Sequence, residues 1–280
     1  MGIKTQIEWA DSTQNLMMGC DGCELWSRTR GGTCYAADII RRYAGRRGYP
    51  PAFDRPTVFP ARLGAMLRWP DLTGTERPDK PWLNGYPRIV FLNDMGDTWT
   101  ESLPLDWLDP YVEPMATSPH IYMILTKRAR RMAAYFQRLG FVPANFWLGV
   151  TVTGRATLAR WRTLQAVPDA TRFLSVEPLL EDLGQLDLSG LGAVLVGAES
   201  GSGARRMEPA WVDNVFDAAR VAGINFFFKQ WGKLANNPDP ADPTARKNGG
   251  ISKGGAQYRG RTWREMPPIR KSSEKKLIDK

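Results

Sequence analysis

Histidine is nearly absent from this 280-residue chain: His120 is the only one. One imidazole cannot build a His-rich metal centre, and no sequence signal pairs it with a serine and an aspartate. Cysteine is almost as scarce, with three residues. An odd number cannot all pair, and a domain held together by disulfides would be far shorter, so the thiols point to a reducing compartment and a metal or cluster. No stretch approaches about eighteen consecutive apolar residues and no apolar leader opens the chain, which predicts a soluble, cytoplasmic protein without a membrane partner. Acidic side chains are also the minority, 29 against 38 lysines and arginines. The resulting charge of +9 suggests a polyanionic partner, nucleic acid first.

What is present is a rhythm. Short apolar runs occur at 88–92 (RIVFL), 121–125 (IYMIL), 146–152 (FWLGVTV), 172–176 (RFLSV), 193–197 (AVLVG) and 224–228 (INFFF). They lack clean alternation, as strands buried on both faces do. Between them lie amphipathic stretches of helical length, including 128–139, 155–166 and 209–222, the last opening on Pro209 and stopping at Gly223. Strand–helix alternation predicts parallel strands with right-handed crossovers. Six units, plus one from the N-terminal 60 residues, predict an α/β fold with a partial (β/α) barrel over 1–232. A doubly wound sheet is the alternative. From 233 to 280 the composition turns polar and basic, predicting a loop-rich extension with a frayed end over 270–280.

Polar residues follow the apolar runs. After 88–92 come Asn93, Asp94 and Asp97; after 121–125 comes Lys127; Glu177, Glu199 and Lys229 follow the later strands. Parallel α/β folds bind ligands at the carboxyl ends of their strands, so these groups converge on one mouth. Loops are polar in any case, but groups set directly against a buried strand should themselves be partly buried. Glu177, before Pro178, and Glu199, in a glycine-rich turn, are the strongest candidates.

All three cysteines fall within "GCDGCELWSRTRGGTCYA", residues 19–36, with the spacing C-x2-C-x10-C. Structural zinc wants four ligands, and the fourth could only be a carboxylate or His120, which precedes a strand and so lies opposite the mouth. A [4Fe–4S] cluster held by Cys20, Cys23 and Cys34 would leave one iron for a small-molecule chelate. Thiols without a ligand role are the third alternative.

The segments "TQIEWADSTQN", "GCDGCELW…CYA", "FLNDMGDTW", "ILTKRARRM", "NFWLGVTV", "FLSVEPLL", "VGAESGSGARRMEPAWV", "FFFKQWG" and "GRTWREMP" run in order from residue 5 to 267. Together they resemble a phage and prophage family of radical S-adenosylmethionine (SAM) proteins with a three-cysteine motif. "CYA" is also distantly similar to spore photoproduct lyase. The superfamily's usual C-x3-C-x2-C is here C-x2-C-x10-C. The resemblance implies a (β/α)6-type radical SAM barrel and an enzyme that makes a 5′-deoxyadenosyl radical from a [4Fe–4S] cluster and SAM. It makes Cys20, Cys23 and Cys34 the cluster ligands and Tyr35, Asn93, Asp94, Asp97, Glu177 and Glu199 candidates for holding SAM. It also implies an external electron donor, and it allows a partner protein encoded nearby. Glu177, Glu199 and Lys127 are the candidate catalytic residues.

Basic residues crowd the same mouth: six arginines in 28–47, including Arg41 and Arg42, then Lys127, Arg128, Arg130 and Arg131, and Arg205 and Arg206 after the Glu199 loop. Helical charge runs are usually solvated faces, but three of these begin within a few residues of strand ends, which fits a rim for a phosphate backbone. An enzyme acting on a duplex base must extrude it into a pocket. Phage relatives favour DNA, and a hypermodified thymine to be modified or isomerised is the sharpest expectation. A radical SAM enzyme acting on a peptide or small molecule, and a non-catalytic metal-stabilised nucleic-acid-binding protein, are the alternatives.

Overall fold

The computed structural model describes residues 3–200, 203–248 and 251–269. Seven strands form one sheet: β1 (Ser12–Gln14), β2 (Ile89–Leu92), β3 (Ile121–Thr126), β4 (Phe146–Thr151), β5 (Thr171–Val176), β6 (Ala193–Val196) and β7 (Asn225–Phe228). Their spatial order is their chain order, and every pairing is parallel. A doubly wound sheet would reverse direction at a switch point. This sheet never does, so it curls as a half-barrel with β1 and β7 as its edges. All six strands expected past residue 85 are present, and the N-terminal segment supplies the seventh.

Among the described residues six helices accompany the sheet: α1 (Tyr35–Tyr43), α2 (Ala61–Leu67), α3 (Asp109–Ala116), α4 (Ala129–Leu139), α5 (Ala159–Gln165) and α6 (Pro209–Val221). Helix α4 shows the logic. Ala129, Met132, Tyr135 and Phe136 fall on one stripe and are buried, and Gly140 ends the helix in the left-handed conformation, donating its N–H to the Phe136 carbonyl. The expected 155–166 helix is divided: Arg155–Thr157 is a 3-10 turn and α5 follows it.

Strand alternation builds two cores. Val90, Leu92, Ile124, Leu148, Val150, Leu174, Val194 and Phe226 join the helical side chains in the larger one. Ile89, Phe91, Met123, Trp147, Phe173, Leu195 and Phe227 fill the concave side, where Trp9, Leu83 and Met266 plug the interior. The interior is so full that Gly149 has to be glycine: a Cβ there would lie 2.2 Å from the Phe173 ring. Aromatic bulk thus makes a floor, with the polar strand-end residues above it.

The segment after 233 is less detached than its composition suggests. Tyr258 is buried in the helical core, Trp231 Nε1 donates to the Gln257 carbonyl at 2.8 Å, and Arg264 bridges to Phe227 at the β7 edge. The expected frayed end at 270–280 lies outside the described residues. No helix among the described residues is long and apolar enough to cross a membrane.

Candidate functional site

The inward alternation of the strands, carried past their last residues, aims Asn93, Glu177 and Lys229 at the mouth. Gly197 allows two of them to meet, since a Cβ there would sit 3.2 Å from Lys229 and 3.4 Å from Glu177. Lys229 Nζ donates to Glu177 Oε2 at 2.8 Å. Burial alone would favour the neutral amine, but Glu177 and Glu8 outweigh it and raise the lysine pKa, so the ammonium persists. Glu177 Oε1 is buried with no hydrogen-bond partner among the described residues. A buried carboxylate oxygen without a donor is costly, and a ligand donor would satisfy it.

The cysteine loop leaves β1 and lies over the same end of the sheet. Gly19 pairs with Gly96 in an isolated parallel bridge, and a Cβ at Gly96 would fall 2.7 Å from the Gly19 carbonyl oxygen. Asn15 accepts the Met95 N–H at 2.8 Å, and Asn93 accepts the Met17 N–H at 3.2 Å. The loops after β1 and β2 are therefore stitched together. The long spacing between the second and third cysteines has a simple form: Trp26–Ser27 pairs antiparallel with Gly31–Gly32, so the insert is a small hairpin that returns the chain to Cys34. Cys34 is the N-cap residue of α1.

The loop is tied to the strand ends by side chains from four directions. Arg128, after β3, donates to the Gly22 carbonyl and to Asp97 Oδ2 (3.1 Å). Arg160 on α5 grips Glu24 with two hydrogen bonds, at 2.8 and 2.7 Å, and Thr153 adds a third at 3.0 Å. Burial raises the Glu24 pKa, but the Arg160 contacts outweigh it and bring the carboxyl down to about 2. Arg205 links Glu199 (2.7 Å) to the Thr33 hydroxyl (3.3 Å), beside Cys34. Tyr35 donates its phenol to the Asp94 carbonyl oxygen at 2.5 Å.

In donor chemistry, three free thiols on one loop are the ligand type an iron–sulfur cluster takes. Cys20 and Cys34 belong to an apolar seat with Met18, Phe53 and Met95. Burial pushes the Cys20 thiol up to about 11 while Arg128 opposes it, so a half-buried cation faces the place where thiolate charge would gather. Burial likewise raises Cys34, against the amides of Ala37 and Ala36. Among the described residues no three His, Cys, Asp or Glu side chains converge tightly enough to hold one metal ion. Sulfurs that each take a different iron stand further apart than sulfurs that share one ion.

The mouth residues divide by whether the protein already uses them. Asp97 accepts from Thr126 Oγ1 (2.6 Å), Lys127 N (2.9 Å), Trp99 N (3.1 Å) and Arg128, so its carboxylate anchors the protein's own loops. Asp94 receives one side-chain hydrogen bond, from Asn15, and burial raises its pKa. Glu199 is held near 2: burial works upward, and the Arg205 hydrogen bonds prevail. The expected basic rim is only partly a rim. Arg128 is half-buried against Asp97, and Arg131 is turned inward to the Trp99 and Leu103 carbonyls. Arg205 serves Glu199, while Arg41 and Arg206 pair with Asp38 and Glu208. Lys127, Arg130 and Arg42 are left without an ion pair among the described residues. Glu24, Arg160, Asn15 and Arg264 went unremarked in the sequence; only the "GRTWREMP" segment hinted at Arg264, which donates to the Phe228 carbonyl and lies 4.6 Å over the Phe227 ring. His120 is fully buried at the start of β3, away from the mouth.

A cavity of about 930 Å³ runs along the seam between the sheet edges, from Asp11 and Arg88 to Lys229 and Arg264. No cysteine lines it.

Comparison with known proteins adds one finding. No curated protein and no solved structure matches the chain. Residues 4–267 match the model of a family described as a protein of unknown function (DUF5131), which covers nearly the whole chain. The chain belongs to that family.

Proposed function

We propose that this protein is a radical SAM enzyme that modifies or isomerises a base in DNA. One observation carries the reading: the three thiols lie on a single loop, and four side-chain ties bind that loop to the strand ends of a parallel half-barrel. A merely structural thiol loop would not need to face a mouth containing an ion pair with an unpartnered carboxylate oxygen.

Cys20, Cys23 and Cys34 would hold a [4Fe–4S] cluster, and SAM would complete the site beside it. Bound together, cluster and SAM supply one-electron cleavage of SAM to a carbon radical, with the electron coming from an external donor. The chain's own residues do the rest. Arg128 compensates thiolate charge and fixes the Gly22 carbonyl. Asp94 offers a carboxylate to a cationic ligand amine, as Asn15 occupies only its Oδ1. Glu177 presents Oε1 to a donor on SAM or substrate, while Lys229 holds Oε2. The aromatic floor of Phe91, Trp147, Phe173 and Phe227 keeps water from entering from below. The positive net charge and unpaired mouth cations favour a nucleic-acid substrate over a peptide.

Anaerobic reconstitution with iron and sulfide tests this directly. The expected result is a reduced-cluster paramagnetic signal that changes when SAM is added, together with 5′-deoxyadenosine release. Stoichiometric zinc in anaerobically purified protein, or a signal indifferent to SAM, would refute it.

A further inference from the structure

Between the start of α4 and the face of α5 lies a second cavity, of about 250 Å³. Its lining includes Lys127, Arg128, Arg130, Arg131 and Arg160, with Glu101 as the acidic member. Three of the five cations are spoken for on their inner sides. Arg128 is held by Asp97 and the Gly22 carbonyl, Arg160 by Glu24 and the Thr151 carbonyl, and Arg131 by two main-chain carbonyls with Glu101 at 3.4 Å. These contacts make the walls rigid. The Lys127 ammonium and the Arg130 guanidinium have no hydrogen bond or ion pair with a described residue. The cavity therefore contains two cations without a hydrogen bond or ion pair among the described residues, beside three that are held by the protein. The first turn of α4, eleven residues long, has no side-chain cap and so adds N–H groups on the same side.

Position decides what such a site serves. Two of its wall residues hold the cysteine loop: Arg128 donates to the Gly22 carbonyl and Arg160 to Glu24, on either side of Cys23. Lys127 directly follows β3 at the mouth. A tetrahedral oxyanion lodged here would hold its molecule against the entrance and leave the mouth open to the group attached to it. We infer that this cavity receives one phosphate of the nucleic-acid backbone next to the nucleotide entering the site, an inference that rests on the nucleic-acid substrate proposed above. Lys127 and Arg130 grip that one phosphate together. They are not two independent rim contacts, and Arg128 and Arg131 shape the walls without meeting the backbone.

The test is a salt titration of binding to a short DNA duplex. Each phosphate neutralised contributes about 0.9 to the slope of log affinity against log salt. If Lys127 and Arg130 share one phosphate, the K127Q/R130Q variant loses about 0.9 from the slope; two separate contacts would lose about 1.8. R130K, which keeps a cation, should retain the parent slope. E101Q removes the acid from the lining, and tighter binding by this variant cannot come from misfolding. A parallel arm follows inorganic phosphate by ³¹P line broadening in the parent and in R130Q. Equal slopes in parent, K127Q/R130Q and E101Q, with a parent that binds DNA, would overturn the phosphate site while the nucleic-acid reading stands. A parent that does not bind DNA would overturn both. Phosphate binding lost in R130Q with no change on DNA would make this a site for a free phosphate and refute the backbone assignment.

Discussion

Replacing Arg128 by methionine should destabilise the protein and uncouple the cysteine loop from the sheet. The Arg128 side chain is 11% exposed and that of its partner Asp97 8%, so both sit largely out of water. Removing one member of a buried pair costs about 3–5 kcal/mol, because the other charge is stranded. Asp97 is not fully stranded here, since Thr126 Oγ1 and the Lys127 and Trp99 N–H groups still donate to it. Against that, the Gly22 carbonyl loses its donor. The three donors left on Asp97 outweigh the one donor lost by the Gly22 carbonyl and place the cost near the lower bound, about 3 kcal/mol. For a chain of this size each kcal/mol lowers the melting temperature by about 2–4 °C, giving a drop of about 6–12 °C. The melt should be followed by circular dichroism on cluster-free protein, so that ligand binding does not add to the apparent stability. The R128M/D97N double variant should recover part of the loss, because it removes the stranded charge. A parent-like melt for R128M, or a double variant worse than the sum of the singles, would show that the pair does not hold the loop.

Asp94→Asn should weaken SAM binding at least tenfold while iron and sulfide stoichiometry stays at the parent value; equal SAM affinity by equilibrium dialysis would remove Asp94 from the site. Gly149→Ala forces a methyl into the Phe173 ring and should cost about 1–3 kcal/mol in urea denaturation, with Phe173→Leu restoring much of it. The folded pKa of Glu199 is about 2, below its ordinary 4.5, so its contribution is complete above pH 4.5 and drains away as pH falls towards 2. Glu199→Gln should therefore flatten the acid limb of the stability–pH curve, and an unchanged limb would contradict the Arg205 pairing. Burial, with Arg88 nearby, lowers the pKa of His120, so the unfolded chain binds its proton first and stability falls as pH drops below about 6.5. His120→Leu should remove that step from the same curve.

Strand positions were readable because each strand is buried on both faces and therefore appears as an apolar run between polar ends. Helices α4 and α6 were readable from their stripes, and α6 also from its stop at Gly223. Helix α3 was not. Pro110 and Pro114 interrupt its pattern, and it survives because Tyr111, Val112 and Met115 are buried against the core. Helix α5 was placed too early, since nothing in local composition separates a 3-10 turn from the first turn of a helix. The thiols were the most legible part of the site, as all three lie within fifteen residues and the hairpin between them closes locally.

The basic residues show where local reading ends. Arg130 and Arg131 are neighbours of the same type, yet a helical turn of about 100° per residue sends one to solvent and the other to the Trp99 carbonyl. Asp94 and Asp97 are equally acidic in sequence, and only the meeting of β2 and β3 shows that Asp97 serves Thr126, Lys127 and Arg128. Glu24 and Arg160 are 136 residues apart, and no local signal joins them. Residue chemistry and periodicity operate over a few residues, and from them came the alternating α/β architecture, the number of thiols and the end of the sheet on which polar groups collect. Which charges are spent inside the molecule and which are left for a ligand depends on contacts between distant strands. Those contacts form only when the sheet curls, so that division belonged to the tertiary structure alone.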